Sequence, residues 1–386
     1  MASDAMGGGW TFVPLIYLSS LLLHVLLPAR TVSGYCCDNT TFQPLQYRLN
    51  GVFVLAVVIV GFVVLLPSSV QQALYNDNSS ALASANAFGL AASFYFFFRK
   101  AAPERYARCV TIDQLKDKSQ LRLALPTPSS PVVFFLGREW NPRFGSVDVK
   151  MFLYVVGAVM LQCNIISAAI VQRAAWNGQT SNAMAVYLGC FTWFIVEYMC
   201  GEQVHLYTYD LFAEKLGFKL AWGCLVFYPF FYPIGSHALA KATRDISPSV
   251  AISIAALYFA GWLITRGANL QKYFYRTNPS SSTCFFGLIP QQVVPGTRIL
   301  CSGFWGLARH FNYLGEIVQA IALALPGTLV ADTGLEAALP WLYPIYYVGL
   351  FVTRQMDDDA VCKLKYGDKW DEYCARVPYR IVPWIY

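Results

Sequence analysis

Charge is what this sequence has least of. Only 13% of its 386 residues are Asp, Glu, Lys or Arg, where a soluble domain carries about 25%. Histidine is equally scarce: His24, His205, His237 and His310, no two of them close in sequence. A di-iron desaturase or hydroxylase needs clustered histidine ligands, so that chemistry is excluded and no metal is expected. The eleven cysteines form no C-x-x-C pair, and several fall inside apolar runs, where cysteine acts as a small hydrophobe. Neither a zinc site nor a disulfide framework is expected. No G-x-G-x-x-G follows a strand-like run, which excludes a Rossmann nucleotide domain. Basic patches interleaved with aromatics are absent outside the apolar segments, so nucleic acid is not an expected partner.

What the chain has instead is apolar length. It is 56% hydrophobic. Runs at 11–28, 51–67, 81–98, 151–171, 183–200, 211–235, 249–266, 317–330 and 338–353 approach or reach the length needed to cross a bilayer. The expected fold is all-α, a polytopic transmembrane helical bundle of about nine or ten spans. The run 211–235 holds Gly217, Gly223, Pro229, Pro233 and Gly235, which predicts a broken helix, and broken helices in membranes line cavities. The stretch 99–122 is rich in Lys and Arg and is expected on the cytosolic side.

Polar residues are concentrated against these runs. Arg298 to Glu316 gathers Arg309, His310, Asn312, Tyr313 and Glu316 around Gly303, Gly306 and Gly315, just before an apolar run. Polar groups leaving water need partners, so this stretch reads either as the floor of a ligand site or as a basic loop facing headgroups. Lys272 and Arg276 are four apart, which on a helix puts two cations on one face, suited to a phosphate or to an ordinary basic helix end. Glu202 and Asp210 lie at the edge of apolar segments, where acids are functional candidates. Eight residues apart, a continuous helix would bring them back to nearly one face.

The segment Ser302-Gly-Phe-Trp-Gly-Leu-Ala-Arg-His-Phe-Asn-Tyr-Leu-Gly315 resembles the integral-membrane sterol reductases, which comprise the sterol C14, C7 and C24(28) reductases and the reductase-like half of the lamin B receptor. The connector ending Leu45-Gln-Tyr-Arg-Leu-Asn-Gly51, the run Arg138-Glu-Trp-Asn-Pro-Arg-Phe-Gly-Ser-Val-Asp-Val-Lys-Met-Phe152 and the final Tyr373-Cys-Ala-Arg-Val-Pro-Tyr-Arg-Ile-Val-Pro-Trp-Ile-Tyr386 extend the resemblance over nearly the whole chain. It implies a single membrane domain over 1–386, with sterol-facing spans in 11–235 and an NADPH-binding half in 249–386. It also implies a multi-pass protein of the endoplasmic reticulum, possibly continuous with the nuclear envelope, with a membrane sterol and the lipid bilayer as partners.

Carried over residue by residue, the resemblance places Lys272 and Arg276 at the coenzyme phosphates, Leu300 and Trp305 on an apolar wall, and Asn312 and Tyr313 at a polar contact. Arg354, Asp358, Cys362, Lys363, Leu364, Lys365, Tyr366 and Tyr373 stand at the family's spacings in the tail. One arginine of the family pattern is Asp357 here, and a usual Gly-Asp is Gly223-Cys224. The implied activity is reduction of a sterol double bond, C14=C15 first, by protonation of the alkene and hydride transfer. Asp210 and Glu202 are the implied acids, and Tyr207 and Tyr232 the aromatic groups near the cation. The alternatives are a Δ7- or Δ24(28)-reductase, a methyltransferase resembling isoprenylcysteine carboxyl methyltransferase on the Arg309–Glu316 pattern, and a non-catalytic lamin B receptor-like scaffold.

Overall fold

The structure is a computed structural model that describes residues 8–99, 110–111 and 130–386; most of the basic stretch 99–122 lies outside the described residues. Among those described, seven helices are long and apolar enough to cross a membrane. In chain order the helices used below are α1 (Gly9–Leu26), α2 (Gly51–Val60, prolonged by a π turn over Gly61–Leu65), α3 (Ser68–Asn76), α4 (Asn78–Phe98), α5 (Val149–Ala175) and α6 (Asn182–Cys200). They continue with α7 (Glu202–His205), α8 (Tyr209–Phe212), α9 (Pro248–Thr277), α10 (Phe311–Val330), α11 (Leu342–Tyr366) and α12 (Asp368–Arg376). The span containing α11 begins at Gly334.

Against the expectation of about nine or ten spans, the described residues give seven, or eight if the pair Gly51–Leu65 and Ser68–Asn76, bent by 113°, is one span. The run 211–235 does not make a continuous helix. It breaks into short pieces at Phe218–Trp222, a π turn at Gly223–Phe227, Tyr228–Phe231, a 3₁₀ turn at Tyr232–Gly235, and Ser236–Lys241. Pro229 and Pro233 each remove a backbone donor there, which breaks the helical ladder.

Nor is the chain purely helical. The connector after α1 is an antiparallel hairpin, β1 (Arg30–Cys37) with β2 (Pro44–Leu49), in register from Arg30 opposite Leu49, and β3 (Val110–Thr111) joins it at Cys36–Cys37. Two smaller hairpins pair β4 (Arg143–Phe144) with β5 (Val147–Asp148), and β6 (Thr283–Cys284) with β7 (Ile289–Pro290). The two-residue strands of the smaller hairpins lack the length that makes periodicity readable.

The chain divides into two compact units, one of Met1–Ser181 and Phe191–Ala240, the other of Asn182–Cys190 and Lys241–Tyr386. In the first, α1 packs on α2, α4 and α5, and α5 is buried along most of its length. In the second, α9, α10 and α11 pack in sequence, α9 on α10 and α10 on α11. Gly315 of α10 lets the two backbones meet: a Cβ there would lie 2.5 Å from the Gly261 carbonyl oxygen.

Helix ends in apolar surroundings leave carbonyls that water cannot reach. The connector motif supplies their partners. Arg48 Nε donates to the His24 carbonyl at 2.9 Å, and its Nη2 donates to those of Val25 and Leu27. Asn50 Nδ2 adds bonds to His24 and Leu27. Arg48→Ala is therefore expected to destabilise the protein by about 1–3 kcal/mol, the range for stranded acceptors. Thermal unfolding in detergent checks this, with Arg48→Lys restoring only part because an ammonium lacks the guanidinium fork.

Candidate functional site

Each unit carries its own polar centre. In the first unit, Glu202 is 4% exposed. Its Oε2 accepts the Gly51 N–H at 3.0 Å, and its Oε1 has no hydrogen-bond partner among the described residues. Burial outweighs that bond and raises the carboxyl to about 7. Gly51 is needed for this approach, since a Cβ there would stand 2.7 Å from Glu202 Oε1 and 2.5 Å from Met199 Sδ.

Asp210 sits on α8, and no continuous helix joins it to Glu202, contrary to the spacing argument. Gly201 starts a new short helix at Glu202, and the turn Leu206–Thr208 separates α7 from α8, with Thr208 Oγ1 donating to the His205 carbonyl at 2.7 Å. The two acids nevertheless share a neighbour: Tyr198 lies within electrostatic reach of both, and Tyr154 of Asp210. Tyr207 packs its ring 5.4 Å from Tyr35 against the hairpin core, and Tyr232 lies edge-on to Tyr228 at 4.9 Å.

Lys150 was not among the residues singled out from sequence. Its side chain is fully buried, and Nζ donates to the carbonyls of Asp210, Leu211 and Glu214 at 3.1, 2.6 and 2.9 Å. It closes the carboxyl end of α8 and fixes the turn that carries Asp210. The signal available in the sequence was a lysine directly abutting the apolar run 151–171. Asp148 begins that run by capping α5, its Oδ1 accepting the Met151 N–H at 3.0 Å.

In the second unit the cations converge as their spacing predicts, both on α9. Lys272 Nζ lies 4.9 Å over the Trp305 ring, and Trp305 Nε1 donates to the Ala268 carbonyl at 2.8 Å. Leu300 and Trp305 pack with Ala268 and Tyr275 as an apolar wall. Tyr373, on α12, is buried and donates to the Trp305 carbonyl at 3.4 Å. Tyr313 stacks between His310 at 4.9 Å and Phe351 at 4.4 Å. Asn312 Nδ2 donates to Asn269 at 3.3 Å.

His310 is the residue the tail positions missed. It is 8% exposed, its Nδ1 lies 3.9 Å from Asp358, and burial, with Lys272, Arg309 and Arg354 around it, pushes the imidazole down to about 3. In the tautomer protonated at Nδ1, a neutral imidazole offers Nε2 as an acceptor. His310 Nε2, Asn312 Oδ1 and Arg309 Nε have no hydrogen-bond partner among the described residues. Cys362 and Tyr366 pack into the adjoining core with Trp370 and Tyr373. Lys363, Leu364 and Lys365 face outward: Lys363 pairs with Asp371, and Leu364 is 79% exposed. Asp357 is likewise exposed.

The final segment braces this centre. The Arg309 and His310 N–H groups donate to the carbonyls of Tyr379 and Arg380 at 2.9 and 2.8 Å. Arg309 also reaches Asp359 at 3.4 Å, and Arg380 reaches the same carboxylate at 3.7 Å.

Multiple spans, a buried acid in one unit and a buried cationic centre in the other mark a polytopic helical membrane protein. The model of the ergosterol biosynthesis ERG4/ERG24 family matches residues 6–386, and the chain belongs to that family. It is 38% identical over 253 residues to the delta(14)-sterol reductase TM7SF2 of Mus musculus, covering 66% of this chain and 59% of the mouse protein. It is 31% identical to the delta(14)-sterol reductase of Methylotuvimicrobium alcaliphilum over 96% of this chain and 81% of that one. With erg24 of Schizosaccharomyces pombe, also a delta(14)-sterol reductase, it shares 29% identity over 97% of this chain and 86% of the yeast protein.

Replacing Lys150 by Met strands three carbonyls at once. The expected cost is about 3 kcal/mol or more, at about 1 kcal/mol or more for each stranded acceptor, read as a lowered unfolding midpoint in detergent, and Lys150→Arg is expected to recover part of it.

Proposed function

We propose that this chain reduces the C14=C15 double bond of a membrane sterol with NADPH, in the endoplasmic reticulum membrane. The observation that carries the reading is the second unit's centre, where Lys272 and Arg354 flank a buried neutral His310 and polar atoms stand unpaired. Cations at this density suit a pyrophosphate and an added phosphate. The open acceptors His310 Nε2 and Asn312 Oδ1 suit a ligand rich in hydroxyl and amide groups. The names of the relatives support the choice of C14=C15 over C7 or C24(28).

In this reading Lys272, Arg276 and Arg354 hold the phosphates, Leu300 and Trp305 exclude water, and Asn312, Tyr313 and Tyr373 orient the coenzyme. When bound, NADPH supplies the hydride. The protein's own chemical task is the proton. An isolated sterol double bond is electron-rich and takes a proton before it takes a hydride. That proton moves from a carboxylic acid to one alkene carbon and leaves a tertiary cation at the other. The donor has to be protonated near neutrality, which burial achieves for Glu202. Glu202 is therefore assigned as donor, and Asp210 shares with it only the electrostatic neighbour Tyr198.

The sign of the pH dependence follows. An acid with a value of about 7 is competent below it and ionised above it, so kcat is expected to hold at pH 6 and fall about tenfold per unit well above pH 7. Glu202→Gln keeps an acceptor for the Gly51 N–H but has no proton to give. NADPH binding should survive while turnover is lost, and wild-type turnover in Glu202→Gln would remove the assignment.

Lys272→Ala or Arg276→Ala is expected to raise the KM for NADPH by about tenfold or more, the equivalent of one charge-assisted phosphate contact, with a smaller effect on the sterol. NADPH should be preferred over NADH by a similar factor of about ten. Complementation of yeast strains lacking each sterol reductase, with sterols read by mass spectrometry, tests the reaction itself. Rescue confined to the C7 or C24(28) strain would reject C14=C15.

A further inference from the structure

The hairpin β6–β7 projects a side chain that water should reject. Its tip is Phe285-Phe286-Gly287-Leu288, closed by the Leu288 N–H donating to the Phe285 carbonyl at 3.2 Å. Phe286 and Gly287 both have positive φ, +59° and +88°, and Phe285 has +50°. A tight turn of that kind favours Asn-Gly, because a left-handed residue with a bulky side chain is strained. Here the strained position holds a phenylalanine that is fully exposed, followed by Leu288 at 80% exposure. Neither local turn chemistry nor packing accounts for the choice, whereas hydrocarbon around the tip would.

The hairpin is tied to the end of a membrane span. The Phe285 ring meets that of Phe274 edge-on at 5.5 Å, on the last turns of α9. Phe274 is two residues from both Lys272 and Arg276. Two residues turn a helix by about 200°, so Phe274 points away from the cationic face. Between the hairpin and this side of α9 lies a cleft of about 250 Å³, lined by Phe274, Thr277, Asn278, Ser281, Phe285 and Gln291, with no charged residue on its walls. Gln291 is 7% exposed. Its amide lies beside the Cys284 thiol, yet neither Nε2 nor Oε1 makes a hydrogen bond of ordinary geometry among the described residues. A buried carboxamide offering one donor group and one acceptor, between two phenylalanines, needs a partner that is uncharged, hydrogen-bonding and otherwise apolar.

We propose that β6–β7 is a membrane-interface finger and that the cleft behind it seats the hydroxyl of a sterol, at a second site turned away from the cationic centre. Phe286 and Leu288 enter the hydrocarbon, Phe274 and Phe285 flank the ring system, and the Gln291 amide both donates to and accepts from the hydroxyl. Phospholipid headgroups do not suit the cleft, because nothing on its walls neutralises a phosphate.

The test uses the full-length protein in phosphatidylcholine nanodiscs. A photoactivatable sterol with a free hydroxyl is used in one arm and a photoactivatable diacylglycerol in the other, with adducts mapped by mass spectrometry. The sterol is expected to label the segment 274–291 saturably, in competition with unlabelled sterol. Gln291→Leu should weaken that labelling about fivefold, the equivalent of one hydrogen bond. Gln291→Met serves if the leucine variant does not fold, and Phe286→Ser should reduce labelling by withdrawing the finger. Absence of labelling in 274–291, equal labelling by the diacylglycerol, or wild-type labelling of both Gln291 variants would overturn the proposal. Because the readout involves neither coenzyme nor turnover, it stands or falls separately from the reductase reading.

Discussion

A peptide carbonyl that leaves water must be given a hydrogen, and in the first unit the long side chains of Arg48, Gln71 and Lys150 supply one. Arg48 covers the end of α1, Gln71 Nε2 covers the carbonyls of Phe62, Val63 and Leu66 where α2 gives way to its bend, and Lys150 covers the end of α8. Each serves more than one carbonyl. Arg48 and Lys150 also tie together segments distant in sequence, whereas Gln71 acts across its own bend. The bent and broken helices of the first unit are tolerable in an apolar setting only because of these clamps.

Against that background, polar groups left without partners are informative. Glu202 Oε1 in the first unit and His310 Nε2, Arg309 Nε and Asn312 Oδ1 in the second are among the buried side-chain atoms that have no hydrogen-bond partner in the described residues, and these four lie in the two polar centres. The two centres are opposite in character. In one, burial raises the Glu202 carboxyl to about 7, and in the other burial, with cations around it, holds the His310 imidazole well below its ordinary value.

How much of this was legible beforehand depended on periodicity. Lys272 and Arg276 could be placed on one face because α9 is a long uninterrupted helix. The same argument failed for Glu202 and Asp210, because the turn at Leu206–Thr208 resets the helix between them. Arg48 and Asn50 stood out as a motif, but a helix cap supplied from twenty-odd residues away has no local signature. Hydropathy marked the run 211–235 as apolar and its prolines as breaks, yet it could not say that no piece would be long enough to count as a span. The tail was legible as spacing only: Tyr373 and Cys362 turn inward while Lys363 to Lys365 turn out, a difference set by how α11 and α12 pack.

The bracing of Arg309 and His310 by Tyr379 and Arg380 also has a temporal meaning. Helix α10 enters the membrane well before its supporting segment has been translated. Until residues 379–380 emerge from the ribosome, two backbone N–H groups and an arginine at the mouth of the cationic centre have only water or chaperones to bind. The centre therefore closes only when residues 379–380 are in place, later in the order of the chain than the spans that surround it.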